Sequence, residues 1–451
     1  MLIQGQKYSI IGAARSGIAV AKLLKLHGAE VFLSDKAPAT KMEAAAAELS
    51  QLKIACEFGG NTERVLQSDI VVLSPGVPSD APIVKQALTQ GKKVVSEIEV
   101  ASWFCEGSIV AITGTNGKTT TTALAGRIFD DAKRPAVVAG NIGLAFSQVV
   151  EDVKRDSTAI VEVSSFQLDT IERFRPRVAA LLNITPDHLD RYEHSMEKYI
   201  ASKCRVFENQ RSGDSVVYNY DDDLVRSNVE AHVHPDVCKL PFSTKARLKQ
   251  GAFVSSASLF TALDGRESDV IALDEISIRG QHNVMNAMAA ALIAQSFDVP
   301  TASVRATLKN FKGVEHRLEF VRELNGVAYV NDSKATNVDS VWYALQSFSR
   351  PIIVLLGGRD KGNDYSTLYP LVEKYVKAIV AIGESGDKVM TAFKGMKPMS
   401  KAETMEEAIR QATAFASAGD VVLLSPACAS FDWFENYEHR GRVFKEIVFT
   451  L

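Results

Sequence analysis

The sequence predicts an α/β protein of three domains, each built around a mainly parallel β-sheet. Short apolar runs of strand length alternate with longer segments of helical periodicity, which is the pattern of parallel strands joined through helices. The chain has 451 residues, about three times the length of an ordinary domain. Hydrophobic residues make up 46% and charged residues 23% of the chain, which is typical of a globular protein.

The first domain is predicted at residues 1–96 and is expected to be Rossmann-like. Its first strand is KYSIIG, followed by the helix RSGIAVAKLLKLHG, which ends at Gly28, and by the strand EVFLSD. A further apolar run, DIVVLSPG, predicts a later strand that ends in a turn.

Two more α/β blocks follow, a central domain at residues 97–300 and a C-terminal Rossmann-like domain at 301–451. The central block contains the runs SIVAIT, STAIVEVSS and RVAALLNIT and the helix SMEKYIASKCRVFENQ. The C-terminal block contains VAYVNDS, PIIVLLGG, AIVAIGE and DVVLLSP. Each strand ends in small or polar residues, and ligands of open α/β sheets bind at these carboxyl ends.

Composition narrows the expected partners to small molecules. A net charge of −3 gives no general reason for binding nucleic acid or a membrane surface. The start MLIQGQKYSIIG lacks the pattern of a signal peptide, and no stretch approaches the roughly 20 apolar residues of a membrane span. We expect a cytoplasmic monomer without membrane insertion. The cysteines lack metal-site spacing and suit a reducing compartment; they are Cys56, Cys105, Cys204, Cys238 and Cys428.

The stretch AITGTNGKTTTT, at the junction of a strand and a helix, predicts a phosphate-binding loop for ATP. Lys118 can neutralise phosphate oxygens, and the Thr119 hydroxyl can bind Mg²⁺. The full pattern G-x-x-x-x-G-K-[ST] would place glycine where the chain has Ile112. The predicted nucleotide-binding residues of this loop are Gly114, Thr115, Asn116, Gly117, Lys118, Thr119 and Thr120.

Three further side chains of the central block are candidates for metal or catalytic chemistry. Glu162 ends the strand AIVEV and is placed to hold Mg²⁺, unless it only caps the helix that begins near Ser164. His188, in NITPDHLDRY, could hold a metal or steer a base, or lie in a solvated loop. Lys203 adjoins the apolar stripe of its helix, where a lysine is more often at the surface.

The loop GTNGKTT resembles the short form G-T-[NK]-G-K-[ST] of the Mur ligase and folylpolyglutamate synthetase superfamily, which accounts for Ile112. Later stretches extend the resemblance to Mur ligases along nearly the whole chain. Each of them alone is typical of a turn with helix-capping side chains. They are GQHNVMNAMAAALIA, GVEHRLE, VNDSKATNVDS, LLGGRDKGNDY and LLSPACASFDWFENYEHRGRVF.

The resemblance implies an ATP-dependent ligase of peptidoglycan biosynthesis that adds D-glutamate to UDP-N-acetylmuramoyl-L-alanine through an acyl phosphate. It implies two Mg²⁺ sites, the first held by Thr119 and Glu162, the second by His188 and a carbamylated Lys203. Lys118, His188 and Lys203 are the implied catalytic residues. Activation as an acyl phosphate is needed because a free carboxylate is a poor electrophile, and catalysis is then mainly charge neutralisation and alignment.

The resemblance also assigns residues outside the loop. Those implied for the adenine nucleotide and its phosphates are Asn283, Arg317, Asp332 and Lys334. Those implied for the reacting centre and D-glutamate are Thr336, Lys361, Ser430, Phe431 and Tyr437. Asn141 is implied near the muramoyl substrate, and Ser164 is implied among the substrate-binding residues.

The first block imitates a dinucleotide fingerprint, with Asp35 where a ribose-binding acid belongs. Ala14 replaces the second glycine, and its Cβ crowds the approach of a pyrophosphate. The resemblance implies instead a pocket for the uridine diphosphate group, although Lys36-Ala37 departs from the Thr-Arg that often follows the acid in this family. The residues implied for this pocket are Gly12, Ala14, Arg15, Ser16, Gly17, Asp35, Ser74, Pro75 and Gly76.

Several alternatives remain open on the sequence alone. One is a regulatory P-loop NTPase, which would leave NDSKATN and SPACAS unexplained. Another is a nicotinamide-dependent oxidoreductase, which Ala14 and the ATP loop disfavour. Within the ligases, the alternatives are another Mur-type amino-acid-adding enzyme or a folylpolyglutamate synthetase.

Overall fold

The computed structural model describes residues 3–141, 143–187, 189–360 and 362–451. The chain divides into two compact units. The first comprises Met1–Ile276 and Met285–Phe311, and the second comprises Ser277–Val284 and Lys312–Leu451. Two sheets lie in the first unit and one in the second. The predicted boundaries at residues 96 and 300 stay predictions.

The first sheet is a five-stranded parallel sheet formed by β1 (Lys7–Ile11), β2 (Glu30–Asp35), β3 (Ala55–Phe58), β4 (Ile70–Leu73) and β5 (Lys93–Ser96). Its strand order is β3-β2-β1-β4-β5. The order reverses between β1 and β4, where open α/β sheets bind ligands. The accompanying helices are α1 (Arg15–Leu26), α2 (Glu43–Gln51), α3 (Pro82–Thr89) and α4 (Glu97–Ser102).

The central sheet has nine strands, which are β6 (Ser108–Thr113), β7 (Ala136–Gly140), β8 (Thr158–Glu162), β9 (Val178–Leu181), β10 (Ser215–Asn219), β11 (Cys238–Ser243), β12 (Gly251–Ser255), β13 (Ser258–Leu263) and β14 (Arg266–Ala272). Their order is β14-β13-β12-β11-β10-β9-β6-β8-β7. The seven strands β6 to β12 pair in parallel. Strands β12, β13 and β14 are joined as antiparallel hairpins.

Seven helices accompany the central sheet in the part of the chain that is described. They are α5 (Lys118–Asp131), α6 (Phe146–Val149), α7 (Ser165–Leu168), α8 (Met196–Cys204), α9 (Asp223–His232), α10 (Gln281–Gln295) and α11 (Thr301–Asn310). The predicted helix SMEKYIASKCRVFENQ is shorter than expected, because after α8 the chain continues in a 3₁₀ turn, Arg205–Phe207.

The sheet of the second unit is formed by β15 (Glu319–Leu324), β16 (Val327–Asn331), β17 (Ile352–Gly357), β18 (Val376–Ile382), β19 (Met399–Lys401) and β20 (Val421–Leu424). The order is β15-β16-β20-β17-β18-β19, and β15 alone among these strands pairs antiparallel. Its helices are α12 (Val338–Leu345), α13 (Tyr369–Tyr375), α14 (Gly386–Ala392), α15 (Met405–Phe415) and α16 (Tyr437–Thr450).

The central strands of each sheet are the apolar runs on which the prediction rested. Every residue of β4, β8, β9, β17 and β20 is buried, as expected of parallel strands covered on both faces. The carboxyl ends of these strands therefore carry the polar loops. Among the described residues, no helix is both long and apolar enough to cross a membrane.

Helix α4 leads from the first sheet toward the central sheet within the first unit, and it is tied there by a buried carboxylate. Glu99 accepts hydrogen bonds from the backbone N–H groups of Glu172 and Arg173 at 3.0 Å and of Phe174 at 2.8 Å. The indole Nε1–H of Trp103 also donates to it, at 2.8 Å. The Glu99 side chain thus accepts the backbone N–H groups of a turn in the central domain.

Candidate active site

The loop between β6 and α5 has backbone angles that require its two glycines. Gly114 has φ +150° and Gly117 has φ +84°, both in the region that disfavours a side chain. A Cβ at Gly114 would lie 3.0 Å from the Leu182 Cβ, and one at Gly117 would collide with Oδ1 of Asn286. Asn286, on α10, was missed by the sequence analysis because its role depends on this contact.

The loop is fixed by the segment that follows β9. The Thr115 Oγ1–H donates to the Thr185 carbonyl, and the Thr185 N–H donates to Thr115 Oγ1, both at 3.0 Å. Asn183 accepts from the Asn116 N–H at 2.7 Å and donates to the Asn116 carbonyl at 3.0 Å. The loop is therefore held in shape by the protein itself.

Helix α5 begins at Lys118, so its first N–H groups and the positive end of its dipole face the loop. The Lys118 Nζ donates to the carbonyls of Gly114 and Thr115, each at 2.8 Å. Thr119 and Thr120 are buried in the first turn. The Thr120 Oγ1 has no hydrogen-bond partner among the described residues. This end of the helix offers donors and a cation to a phosphate group.

Glu162 lies at the carboxyl end of β8, directly beside Ile112 of β6 in the sheet register. Its side chain is buried; Oε1 accepts from Asn141 Nδ2 at 3.3 Å, and Oε2 has no partner among the described residues. The cap of α7 is Ser164, whose N–H donates to Gln167 Oε1 at 3.0 Å, so Glu162 is not needed as a cap. A buried, unpaired carboxylate oxygen fits the hard-ligand preference of Mg²⁺.

Lys203 is buried rather than at the surface, with 2% of its area exposed. Its Nζ donates to the Gly114 carbonyl at 2.9 Å and lies 4.6 Å from the centre of the Tyr199 ring. Burial and the nearby Lys118 charge lower the pKa of Lys203 well below its usual value, although Asp187 opposes the shift. The environment therefore disfavours the charged form of this side chain. His188, predicted beside it, lies outside the described residues.

In the first sheet, the loops after β1 and β4 meet at the switch point. Gly12 has φ +98°, and a Cβ there would lie 2.8 Å from the Ser74 Cβ. Asp35, at the end of β2, joins the loops after β1 and β2, since it accepts from the N–H groups of Ala13 at 2.6 Å and Ala37 at 2.7 Å. The predicted uridine-pocket residues thus share one edge of this sheet; they are Gly12, Ala14, Arg15, Ser16, Gly17, Asp35, Ser74, Pro75 and Gly76.

Arg191 connects this edge to the central domain within the first unit. Its Nη1 donates to the Pro75 carbonyl at 3.2 Å, and its guanidinium lies 4.4 Å from the centre of the Phe166 ring. Arg191 was not among the site residues predicted from the sequence. The signal that could have found it is its position four residues after Asp187, in a loop that follows a buried strand.

In the second unit, Asp332 is the buried centre of the predicted site residues. Its carboxylate accepts from Ser425 Oγ at 2.8 Å and from the Leu318 N–H at 3.2 Å. Burial raises the pKa of Asp332 to about 6, against the opposing effect of the Arg317 and Arg440 charges. The prediction that Arg317 and Asp332 act in one site fits this electrostatic coupling.

Arg440 organises the neighbouring loops and was also missed from the sequence. It is buried on α16, where it donates to the Ser333 Oγ at 3.0 Å, the Ser333 carbonyl at 2.7 Å and the Cys428 carbonyl at 3.2 Å. It therefore joins NDSKATN to SPACAS. Lys334 donates to the Tyr437 hydroxyl at 3.3 Å beside these loops.

The remaining predicted residues of the second unit differ in exposure. Ser430 is buried, whereas Phe431 has 61% of its area exposed and is accessible to a ligand. The Thr336 N–H donates to the Lys334 carbonyl at 2.9 Å. Asn283 is buried on α10 and donates to the Arg279 carbonyl at 2.8 Å. Lys361 lies outside the described residues.

Within the described ranges, Glu315, His316 and Glu319 are the histidine, cysteine and acidic side chains placed closely enough to share a cation. The Lys445 ammonium already forms ion pairs with Glu315 and with Glu319, the latter at 2.9 Å. This cluster is an ion-pair network, and it carries no metal prediction.

Comparison with known proteins matches three family models to successive parts of the chain. Residues 6–96 match the Mur ligase MurD-like N-terminal domain, residues 112–294 the Mur ligase middle domain, and residues 316–428 the Mur ligase glutamate ligase domain. A crystal structure of the UDP-N-acetylmuramate-alanine ligase MurC from Thermotoga maritima superposes with a TM-score of 0.63 at 19% identity, covering 99% of both chains.

The chain belongs to the Mur ligase family, and it is therefore a ligase with three α/β domains. A Salinibacter ruber protein named UDP-N-acetylmuramoylalanine--D-glutamate ligase is 50% identical to it, over 100% of this chain and 99% of the relative. A protein of the same name from Chloroherpeton thalassium is 44% identical over the same shares. These matches confirm the resemblance predicted from the loops.

Proposed function

We propose that the chain is the ATP-dependent ligase that joins D-glutamate to UDP-N-acetylmuramoyl-L-alanine in peptidoglycan biosynthesis. Full-length relatives at 50% and 44% identity carry the name of this activity. The alternative of a nicotinamide-dependent oxidoreductase has no support in the family models. A monomeric state and a cytoplasmic location stay predictions of the sequence.

The observation that carries the proposal is the juxtaposition of a phosphate-type loop with a buried acid. The ends of β6 and β8 are neighbours, so the loop from Gly114 to Lys118 starts beside Glu162. An unpaired, buried carboxylate oxygen costs free energy in the absence of a cation. Glu162 would hold the cation of a Mg²⁺–ATP substrate, and the loop would hold its phosphates.

Each predicted side chain of the loop has a distinct task. Lys118 would neutralise the phosphate oxygens, and the first N–H groups of α5 would bind them. Glu162 and the Thr119 hydroxyl would hold the first Mg²⁺, which, when bound, neutralises charge on the transferred phosphoryl group. Lys203, as a carbamate, and His188 would hold the second. Its burial and lowered pKa make the amine of Lys203 suited to carbamylation.

The other substrates would bind at the carboxyl ends of the strands in the first sheet and in the sheet of the second unit. The turns at Gly12, Asp35 and Ser74 would hold the uridine diphosphate, and Asn141 would hold the muramoyl group. In the second unit, Lys334, Thr336, Lys361, Ser430, Phe431 and Tyr437 would surround D-glutamate and the reacting centre, while Asn283, Arg317 and Asp332 would contact the adenine nucleotide. The cationic members suit the two carboxylates of glutamate.

The proposed reaction has two steps. A carboxylate oxygen of UDP-N-acetylmuramoyl-L-alanine attacks the γ-phosphorus of ATP, and ADP leaves. The amino group of D-glutamate then attacks the acyl carbon, the C–O bond breaks, and phosphate departs with the former carboxylate oxygen while the amine loses a proton. The protein's part is to align the reactants and to neutralise charge.

The test is phosphate release from ATP by the purified protein. Release is expected to require both UDP-N-acetylmuramoyl-L-alanine and D-glutamate, and to fail with L-glutamate. Release that ignores the muramoyl nucleotide would favour a regulatory NTPase. Turnover with a different amino acid or with a folate would assign the chain to another branch of the superfamily.

A further inference from the structure

A pocket of about 450 Å³ lies in the first unit, and none of the residues that line it belongs to the candidate active site. Its lining includes Ser108 and Ile109 at the start of β6 and Arg177 just before β9. The phosphate-type loop follows the other end of β6. Because parallel strands begin at one edge of a sheet and end at the other, the pocket lies at the edge opposite the proposed ATP site.

Three arginines line this pocket, which we call the arginine pocket. They are Arg173, Arg175 and Arg177, and they alternate along the segment ERFRPRV that enters β9. Ser102 and Cys105 contribute to its lining from the α4 region, and Gly213 from the turn before β10. The predominance of polar groups in this lining favours a charged ligand over an apolar one.

The three guanidinium groups are in different electrostatic states. Arg175 is neutralised by the buried Asp214 through two hydrogen bonds, Nε–Oδ2 at 2.7 Å and Nη2–Oδ1 at 3.1 Å. Arg177 lies 4.6 Å from the centre of the Phe297 ring, which orients it but leaves its charge. Arg173 is exposed at the rim of the pocket, where its guanidinium is accessible to a ligand.

The pocket therefore carries an excess of two positive charges, from three arginines and one aspartate, on a protein whose net charge is −3. A cleft lined by one sign of charge concentrates ions of the opposite sign. The paired N–H donors of an arginine guanidinium match the spacing of phosphate oxygens. The volume falls within the range of roughly 300–1,000 Å³ that is usual for small-molecule sites.

We propose that the arginine pocket binds a small molecule that carries two or more phosphate groups, at a site separate from the catalytic centre. The Arg175–Asp214 pair holds the wall in place, and Arg173 and Arg177 provide the charge that is left for the ligand. The proposal does not depend on which amino acid the ligase adds.

The probe for the test is inorganic tripolyphosphate, titrated by calorimetry without divalent metal at about 0.15 M salt to limit non-specific attraction. The measurement uses the full chain with Lys118→Ala, which weakens binding at the phosphate-type loop. Saturable binding is expected to remain. Adding Arg173→Ala and Arg177→Ala is expected to weaken it by about tenfold or more, as charge-assisted hydrogen bonds are lost.

The matched control is Arg266→Gln, which removes an exposed arginine of the same unit and is expected to leave binding unchanged. The double substitution Arg173→Lys with Arg177→Lys keeps the charge and is expected to bind with intermediate affinity. It also keeps the test valid if the alanine variant does not fold. Absence of binding in the Lys118→Ala protein, or binding that neither double substitution weakens, would overturn the proposal.

Discussion

Lys203 shows at the scale of one residue how burial changes chemistry. A buried lysine loses the hydration that stabilises its ammonium form, and the nearby Lys118 charge adds to the effect, so its pKa falls. The neutral amine is the nucleophile that attacks CO₂, forming an N–C bond and releasing a proton. Burial makes the neutral amine more available for the proposed carbamate, and a Mg²⁺ paired with that carbamate would offset the cost of burying its negative charge.

Replacing Lys203 by alanine is expected to lower turnover by roughly 100-fold or more, because the proposed carbamate ligand of the second Mg²⁺ would be lost. Short carboxylates added in excess are expected to restore part of the activity, which a purely structural role would not allow. The control is Lys198→Ala, an exposed lysine on the same helix that pairs with Glu193. Unchanged activity in the Lys203 variant would remove the carbamate from the account.

Asp332 gives a prediction for stability against pH. Its pKa is raised in the folded protein, from an ordinary value of 3.8 to about 6. The folded state therefore binds the proton more tightly than the unfolded state. The resulting contribution of Asp332 to the free energy of unfolding is fully present below pH 3.8 and is lost as the pH rises through about 6. Between about pH 5 and pH 7.5 this contribution to the free energy of unfolding falls by about 1 kcal/mol.

The measurement is chemical unfolding of the wild type and of Asp332→Asn at both pH values, followed by tryptophan fluorescence. Trp342 and Trp433 lie in the same unit as Asp332. Between the lower and the higher pH, the free energy of unfolding of the wild type is expected to fall by about 1 kcal/mol more than that of the variant. Asp387→Asn, at an exposed position, is the control. Equal pH dependence in wild type and Asp332→Asn would contradict the assignment.

At the scale of elements, the site depends on short loops that are held in place by hydrogen bonds from neighbouring segments. The loop between β6 and α5 is positioned by hydrogen bonds to Asn183 and Thr185, which follow β9. Helix α4 is attached in the same way through Glu99. In both cases a neighbouring segment fixes the element in advance, which lowers the ordering cost of ligand binding.

Gly117→Ala is expected to raise the Kd for ATP by roughly tenfold or more, since both backbone strain and the collision with Asn286 distort the loop. The control is Gly265→Ala, because Gly265 has φ +74° in a surface hairpin, and a Cβ there meets nothing within 4 Å. The Gly265→Ala variant should be less stable than the wild type but should bind ATP with the same affinity. Calorimetry measures the Kd for ATP in each protein. Equal ATP affinity in Gly117→Ala and the wild type would argue against a nucleotide at this loop.

Glu99→Ala is expected to destabilise the first unit by about 3 kcal/mol or more, because it leaves several backbone N–H donors without their acceptor. The control is Glu106→Ala, since Glu106 is an exposed acid in the segment that follows α4. Thermal unfolding monitored by far-UV circular dichroism measures the difference. A shift no larger than that of the control would show that the contact contributes little.

The whole molecule shows which levels of structure were accessible from the sequence. Buried parallel strands and the place of the Gly-Lys-Thr turn between a strand and a helix were predicted correctly, because apolar runs and this turn are local signals. The antiparallel hairpins β12–β14 were missed, although Asp264-Gly265 between β13 and β14 is a strong hairpin turn. The contacts of Arg191 and Arg440 join distant segments, so the sequence could at most point to Arg191 by its position after Asp187, and it held no signal for Arg440.

The central claim is that ATP activates a carboxylate of the muramoyl substrate. It is tested by preparing UDP-N-acetylmuramoyl-L-alanine with ¹⁸O in the alanine carboxylate and analysing the released phosphate by mass spectrometry after turnover with ATP and D-glutamate. The account predicts that each phosphate released carries one oxygen from that carboxylate. Phosphate that carries oxygen from solvent water instead would contradict it.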